Sequence, residues 1–217
     1  MVQLNVSSSR DYGTQYSMPI LMLPYTQRSV PSSFSNGFVE SDGHLSIEME
    51  HWSAVSSNSS DVSYKVIPGL SRTLSGVALF PVTADSQAAP GSPALEYDFY
   101  TFTSGAALNT TNITIVTTTS INTYPERPLR YAIQLDNQPI QTVHYVVDQP
   151  AGALPVGWTT AVSQEAWYST TSFNYTGAGA HTLKVWALEP ALTFNTAWIN
   201  LGGIRPSYLG PPESVRV

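Results

Sequence analysis

Residues 37–52, with the sequence GFVESDGHLSIEMEHW, determine how the rest of the chain is organised. A turn signal at residues 41–43 is followed by a strict alternation of apolar and polar side chains. The apolar positions are Leu45, Ile47 and Met49, and the polar positions between and after them are Ser46, Glu48 and Glu50. This period of two residues predicts a β-strand with one buried face.

Two carboxylates, Glu48 and Glu50, lie on the same face of this predicted strand. The rise of a strand places their Cβ atoms about 6–7 Å apart. Like charges at this distance repel each other unless something positive or solvent screens them. This repulsion would be reduced by an arginine, by bulk water, or by a hard cation such as Ca²⁺, which prefers oxygen ligands. The residues alone leave these three alternatives open.

Further short strands are predicted along the chain, separated by loops rich in Gly, Pro, Ser and Thr. Residues 162–168 are the one stretch that we expect to form one or two helical turns, and Trp167-Tyr168 is expected to be irregular. Many short strands with hardly any helix predict an all-β sandwich or barrel. The predicted strands are residues 64–67, 76–82, 95–100, 112–121, 130–135, 142–147, 181–188 and 194–201.

The composition of the 217 residues excludes several classes of protein. Hydrophobic residues make up 42%, enough for a core, whereas charged residues make up only 11%. The net charge is −6, with two lysines, Lys65 and Lys184, and no basic cluster that would bind nucleic acid. There is no cysteine, hence no disulfide framework, and no apolar stretch of about 18 residues that would span a membrane.

Five N-x-Ser/Thr sequons in a Ser/Thr-rich chain predict a secreted glycoprotein. They begin at Asn5, Asn58, Asn109, Asn112 and Asn174. The first residues have neither the charged nor the apolar region of a signal peptide, so we expect Met1 to be an artificial start on a fragment of a longer protein. A short intracellular protein is the alternative.

Catalytic motifs are absent from the sequence. It contains neither a G-x-S-x-G nucleophile elbow nor an H-E-x-x-H zinc motif, and its four histidines are scattered. Glu96 and Asp98 share a strand face and are the acid pair that most resembles the two carboxylates of a glycosidase. A pair on a strand face more often has a structural or surface position, so we predict that this chain is not an enzyme.

Aromatic side chains in loops are better candidates for function, since sugars stack their apolar C–H face on aromatic rings and loops carry most recognition residues. Trp186 and Trp198 lie in strand patterns, which predicts core positions. Trp52 lies at the end of the first strand, where both a core position and a sugar-binding position are compatible with the pattern. Trp158, after Gly157 in a loop, and the Trp167-Tyr168 pair are the predicted sugar-binding aromatics.

Three segments resemble known families. Residues 47–52 resemble the first strand of carbohydrate-binding modules of families 6 and 35. Residues 37–43 (GFVESDG), residues 46–48 (SIE) and the closing segment 206–214 (PSYLGPPES) resemble the C-terminal domain of glycoside hydrolase family 115. Members of that family are α-glucuronidases that act on glucuronoxylan. The resemblance implies a jelly-roll, galactose-binding-like β-sandwich over residues 37–217, preceded by a connector at residues 1–36.

The resemblance to family 6 modules also implies site residues. Gly157-Trp158 and Asn195 match positions that contact sugar there, whereas residues 76–79 lack the second aromatic of those modules. Glu48 and Glu50 match two ligands of a structural calcium ion, but Ala197 replaces the aspartate of the last strand. The implied cofactor is therefore a structural calcium ion at an incomplete site.

Two functions are open at this stage. The first is a non-catalytic domain that binds xylan-class plant cell-wall polysaccharide for an α-glucuronidase whose other domains are its partners. The second is a structural module of the same enzyme that joins domains or subunits and has no sugar affinity of its own. A binding module should expose aromatics in a groove, whereas a structural module should expose an apolar patch.

The tail, residues 202–212, is too rich in Gly and Pro to be a regular strand. We expect it to pack across the sandwich or on a neighbouring domain.

Overall fold

The computed structural model describes residues 2–4, 21–23, 28–56, 61–106, 108–122, 124–150 and 152–217. The chain divides into two compact units, residues 1–31 and residues 32–217. In the first unit, β1 (Val2–Leu4) pairs antiparallel with β2 (Leu21–Leu23). Among the described residues, no helix is both long and apolar enough to cross a membrane. The predicted domain boundary after residue 36 stays a prediction.

The second unit consists almost entirely of strands, and its one described helix is seven residues long. Its elements in chain order are β3 (Phe38–Val39), β4 (His44–Glu48), β5 (Ala54–Ser56), β6 (Ser63–Pro68), β7 (Ser75–Phe80), β8 (Ala94–Thr101), β9 (Thr110–Thr118), β10 (Arg130–Leu135), β11 (Gln141–His144), α1 (Trp158–Gln164), β12 (Ala166–Asn174), β13 (Gly179–Ala187) and β14 (Thr193–Asn200).

These strands form two sheets, so the predicted all-β sandwich is confirmed. The first sheet has the order β11-β10-β13-β8-β3, with β5 also paired to β8. The second has the order β12-β9-β14-β7-β6, with β4 also paired to β14. The alternating strand of the motif, β4, thus pairs with β14, the last strand of the chain.

The predicted apolar face of β4 is confirmed, but the strand is not half-buried, because Ser46 and Glu48 on the polar face are also buried, at 2% and 8% exposure, where they contact residues 211–214. Leu45 and Ile47 are fully buried in the core, together with aromatic residues from both sheets such as Tyr97, Tyr131 and Phe194. The predicted turn is also confirmed, because Ser41 and His44 exchange backbone hydrogen bonds of 3.0 and 3.1 Å across a two-residue hairpin.

The short helix predicted at residues 162–168 exists but lies earlier in the chain, and the irregular structure predicted for Trp167-Tyr168 was wrong. The helix α1 begins at Trp158 and ends at Gln164, and it is capped by Glu165, which adopts a left-handed conformation with φ 54°. Trp167 and Tyr168 belong to β12, which pairs with β9 over nine residues. The long ladder of β12 along the Thr-rich β9 overrides the weak helical pattern of this stretch.

The C-terminal tail closes one side of the sandwich. Ser214 accepts a hydrogen bond from the backbone of Ser46 in β4 through its Oγ, at 3.0 Å, and its own N–H donates to the Ser46 carbonyl at 2.8 Å. Val39 of β3 donates to the carbonyl of Val215 at 2.9 Å. The tail therefore connects an edge strand of the first sheet with β4 of the second.

Candidate functional site

One end of the sandwich is formed by the loops that follow β9 and β11. We call residues 119–129 and 145–158 the loop end of the domain. Trp158 begins α1 directly after Gly157, whose φ of +84° favours glycine. The helix is fixed to the other loop because the Thr119 hydroxyl donates to the Ala161 carbonyl at 2.9 Å.

Trp158 and Trp167 form an aromatic pair at this end. Their ring centroids are 6.3 Å apart and the rings are inclined by 45°. Trp167 packs against the core, and its indole N–H donates to the Ser120 carbonyl at 2.8 Å. Trp158 is half-buried. The inner ring is therefore held by the core, and it supports an outer ring that solvent reaches.

A cleft of 420 Å³ lies between the two loops. Its walls are largely apolar, and a carboxylate and two amides contribute the polar groups. The described lining residues include Ile121, Asn122, Val147, Asp148, Gln149 and Leu154. This volume is within the usual range of ligand-binding clefts, and the combination of apolar walls with a few polar groups is typical of them.

The side chain of Asn122 connects the two loops that form the cleft. Its Nδ2 donates to the carbonyl of Val146 at 3.2 Å and to the carboxylate of Asp148, and its Oδ1 accepts from the N–H of Leu129 at 2.8 Å. Both loops are thereby joined by one side chain. No local pattern in the sequence predicts this arrangement, because Asn122 and Asp148 are 26 residues apart in the chain.

Tyr168 and Asn195 lie away from the tryptophan pair. Tyr168 is on the other face of β12 from Trp167, and its ring is 5.6 Å from that of Trp198. Arg72 donates to the Tyr168 hydroxyl and stacks on Tyr208 of the tail, 4.4 Å from the ring centroid. Sequence reasoning missed Arg72, for which no local pattern was available.

Asn195 is almost completely buried, with 1% exposure. Its Oδ1 accepts from the Thr118 hydroxyl at 2.9 Å, and its Nδ2 has no hydrogen-bond partner among the described residues. It lines a narrow pocket together with Tyr168, Trp198 and Arg72. The structure thus separates the predicted sugar-binding residues into two pairs, and their role stays a prediction.

The predicted metal ligands lie where β4 meets the tail. Glu48 is buried, and its backbone N–H donates to Glu213 Oε1 at 3.0 Å. Burial raises the pKa of the Glu48 carboxyl, and the negative charges of Glu213 and Glu50 raise it further. A hydrogen bond from Thr73 acts in the opposite direction without reversing the shift. Glu48 Oε2 and Glu50 Oε1 have no hydrogen-bond partner in the described part of the chain.

A calcium ion fits these residues only in part. The two free carboxylate oxygens are suitable donors, but calcium takes six to eight oxygen ligands. Ala197 is fully buried in the core and supplies no ligand side chain. No group of three or more His, Cys, Asp or Glu residues in the described ranges is arranged to hold a metal.

The acid pair Glu96 and Asp98 is engaged in structural contacts. Lys184 Nζ lies 2.8 Å from Glu96 Oε1, and the Thr182 hydroxyl donates to Asp98 Oδ1 at 2.7 Å. These bonds connect β8 to β13 across the first sheet. The remaining tryptophans, Trp52 and Trp186, pack against apolar clusters.

The fold and the loop end define a β-sandwich domain that presents aromatic and apolar side chains at one end. The sequence profile of the glycosyl hydrolase family 115 C-terminal domain matches residues 37–213. The chain therefore belongs to this family, as the two terminal motifs predicted. No curated protein sequence matches the chain.

Solved structures of similar fold include a family 115 4-O-methyl-α-glucuronidase with specificity for decorated arabinogalactans, with 13% identity, a TM-score of 0.47 and coverage of 68% of this chain. The match spans 17% of that enzyme. A family 6 carbohydrate-binding module of a Cellvibrio mixtus lichenase, in complex with cellotriose, has 14% identity and a TM-score of 0.40. The match covers 72% of this chain and 95% of that module.

A xylan-binding module of Paenibacillus barcinonensis Xyn10C has 13% identity and a TM-score of 0.36. The match covers 72% of this chain and 92% of that module.

Proposed function

We propose that this domain binds xylan-class polysaccharide, including glucuronoxylan, and brings a family 115 α-glucuronidase to it without catalysing a reaction itself. The observation that carries the proposal is the Trp158–Trp167 pair at the loop end. A half-buried indole whose inner neighbour is fixed by the core and by the Ser120 carbonyl is a preorganised stacking surface. The engagement of Glu96 and Asp98 in structural hydrogen bonds supports a non-catalytic role.

Secretion is part of the same proposal, because the polysaccharide is extracellular. Three sequon asparagines, Asn109, Asn112 and Asn174, are exposed, which supports their use as glycan acceptors in a secreted protein. Asn5 and Asn58 lie outside the described residues.

Replacing Trp158 by alanine should weaken binding to glucuronoxylan and to unsubstituted xylan about tenfold, since the loss of one stacking ring corresponds to about 1.4 kcal/mol. Affinity electrophoresis of the 217-residue chain measures the change as a loss of retardation. Tyr208→Ala is the matched control, because it removes an exposed aromatic ring of the tail that is not part of the loop end. Equal retardation of the Trp158 variant and the wild type would contradict the assignment of the site to Trp158.

A second candidate function is favoured by the apolar surface of the loop end. Several large apolar side chains there are 42–78% exposed, and a surface of this kind also suits contact with other domains or subunits of the parent enzyme. They are Ile121, Tyr124, Val147, Leu154 and Val156. If the wild-type chain is not retarded by any polysaccharide, this structural role replaces the sugar-binding one.

A structural calcium ion at Glu48 and Glu50 is proposed with its own test. The raised pKa of Glu48 means that the folded protein favours the protonated form, so ionisation near neutral pH opposes folding. In a chelator at neutral pH, Glu48→Gln should therefore leave the melting temperature unchanged or raise it by a few degrees. In calcium the same substitution should lower it relative to the wild type, because a ligand is lost. A wild-type melting temperature that does not respond to calcium would contradict the site.

A further inference from the structure

We propose that the cleft between residues 121–125 and 146–155 binds neutral pyranose units and that Asp148 excludes uronates from it. This inference rests on the proposed function, and it specifies which part of a glucuronoxylan the domain recognises. The unsubstituted xylose backbone is the ligand class, and the glucuronate-bearing units are left for the catalytic domains of the parent enzyme.

The walls of the cleft suit the C–H faces of a pyranose. Ile121 and Val147 are 42% and 60% exposed, and they lie on opposite loops of the cleft together with prolines and Leu154. A pyranose placed between two such walls removes apolar surface from water on both of its faces. Because Asn122 joins the two loops, little ordering of the protein is needed on binding.

The polar groups of the cleft suit sugar hydroxyls. Asp148 uses Oδ1 to accept from Asn122, whereas Oδ2 has no hydrogen bond to any other described residue, so it is free to accept from a hydroxyl. The Gln149 side chain offers an amide donor and an acceptor beside it. A carboxylate is a strong acceptor for a hydroxyl, since charge-assisted hydrogen bonds exceed neutral ones.

The same carboxylate disfavours an acidic sugar. No Lys or Arg is among the described residues that line the cleft. Arg127, which lies in the 119–129 loop but outside the cleft lining, is engaged by Glu189, with its Nε 3.0 Å from Oε2, and by the Ala84 carbonyl. A uronate in the cleft would therefore face Asp148 without a counter-charge, in a chain whose net charge is −6.

The test compares binding of the 217-residue chain to xylohexaose and to a xylo-oligosaccharide of the same length that carries one glucuronate, by titration calorimetry. We expect the wild type to bind the neutral ligand about tenfold or more tightly, with a preference that decreases at high salt because charge repulsion is screened. Asp148→Asn keeps an acceptor and removes the charge, so it should reduce the preference to about threefold or less. Glu165→Gln, which changes the net charge equally at an exposed position outside the cleft lining, should retain the preference.

A second variant, Ile121→Asp, tests the location, because it places a charge on one apolar wall. It should weaken xylohexaose binding about tenfold or more while the thermal transition is retained. Binding that is unaffected by Ile121→Asp and lost in Trp158→Ala would overturn the assignment to this cleft but retain the proposed function. An unchanged preference in Asp148→Asn would overturn the exclusion of uronates. A wild type that binds neither ligand would overturn the proposed function and this inference with it.

Discussion

Replacing Glu40 by alanine should lower the free energy of unfolding by about 3 kcal/mol, since it leaves two half-buried backbone N–H groups without the carboxylate that accepts from them. Glu40 is 4% exposed, and its Oε2 accepts from the N–H groups of Phe102 at 2.6 Å and Thr103 at 2.8 Å. Its Oε1 accepts from the Thr103 hydroxyl at 2.8 Å. One side chain at the end of β3 therefore binds the segment that follows β8. Urea denaturation followed by tryptophan fluorescence measures the loss.

Glu40→Gln separates the hydrogen bonds from the charge. The amide oxygen can accept from both backbone N–H groups, and the Thr103 hydroxyl can turn to accept from the amide nitrogen. We expect this variant to lose only about 1 kcal/mol, the contribution of the charge to the hydrogen bonds. Equal losses in the two variants would show that the charge rather than the hydrogen-bond geometry stabilises this corner.

Glu40 also shows what the sequence could predict. The motif at residues 37–43 identified the family, and the alternation after it predicted the buried face of β4 correctly, because both signals are local. That Glu40 is buried was not predictable, since the donors it satisfies are about 60 residues away, in a loop that follows a different strand.

The candidate site shows the same division between local and long-range signals. A tryptophan after a glycine indicated Trp158, which was predicted to lie in a loop and is instead the first residue of α1. The partner ring, Trp167, was also named, but it was expected in an irregular stretch and lies in β12. Strand pairing between segments about 50 residues apart decides which face each ring occupies, and it places Tyr168 on the opposite face from Trp167. The cleft at Asp148 depends on contact between two loops, which no spacing in the sequence indicates.

We expect the contribution of His181 to the free energy of unfolding to be larger at mildly acidic pH than at alkaline pH. Its Nδ1 is 2.9 Å from Asp136 Oδ2 and its Nε2 is 2.9 Å from the Gly177 carbonyl oxygen. Both partners are acceptors when Asp136 is ionised, so a protonated ring donates from both nitrogens, and this arrangement favours the imidazolium form. Although burial alone would lower the pKa of His181, the hydrogen bond and charge of Asp136 and the Gly177 carbonyl raise it above 6.5.

The pH window of this ion pair follows from both partners. Burial would raise the pKa of Asp136, but the hydrogen bonds from His181 and Thr182 and the charge of His181 lower it below 3.8. A lowered acid pKa gives stability that is lost as the pH falls through that pKa, and a raised histidine pKa gives stability that is lost as the pH rises through it. The His181–Asp136 pair therefore makes its full contribution to the free energy of unfolding between about pH 4 and pH 6.5. Asp98 is a further carboxylate that lines the same pocket.

His181→Gln should lower the free energy of unfolding by about 2 kcal/mol at pH 6, less than for a fully buried pair because the Asp136 side chain is 28% exposed. At pH 9 the loss should fall to about half of that value, since the wild-type ring is then neutral and retains one donor. Urea denaturation at both pH values gives the difference directly. His144→Gln removes an exposed histidine of β11 and should leave the pH dependence of stability unchanged. A loss in His181→Gln that is equal at pH 6 and pH 9 would show that the ring stabilises this end of β13 by packing on Phe99 and Tyr175 rather than by its charge.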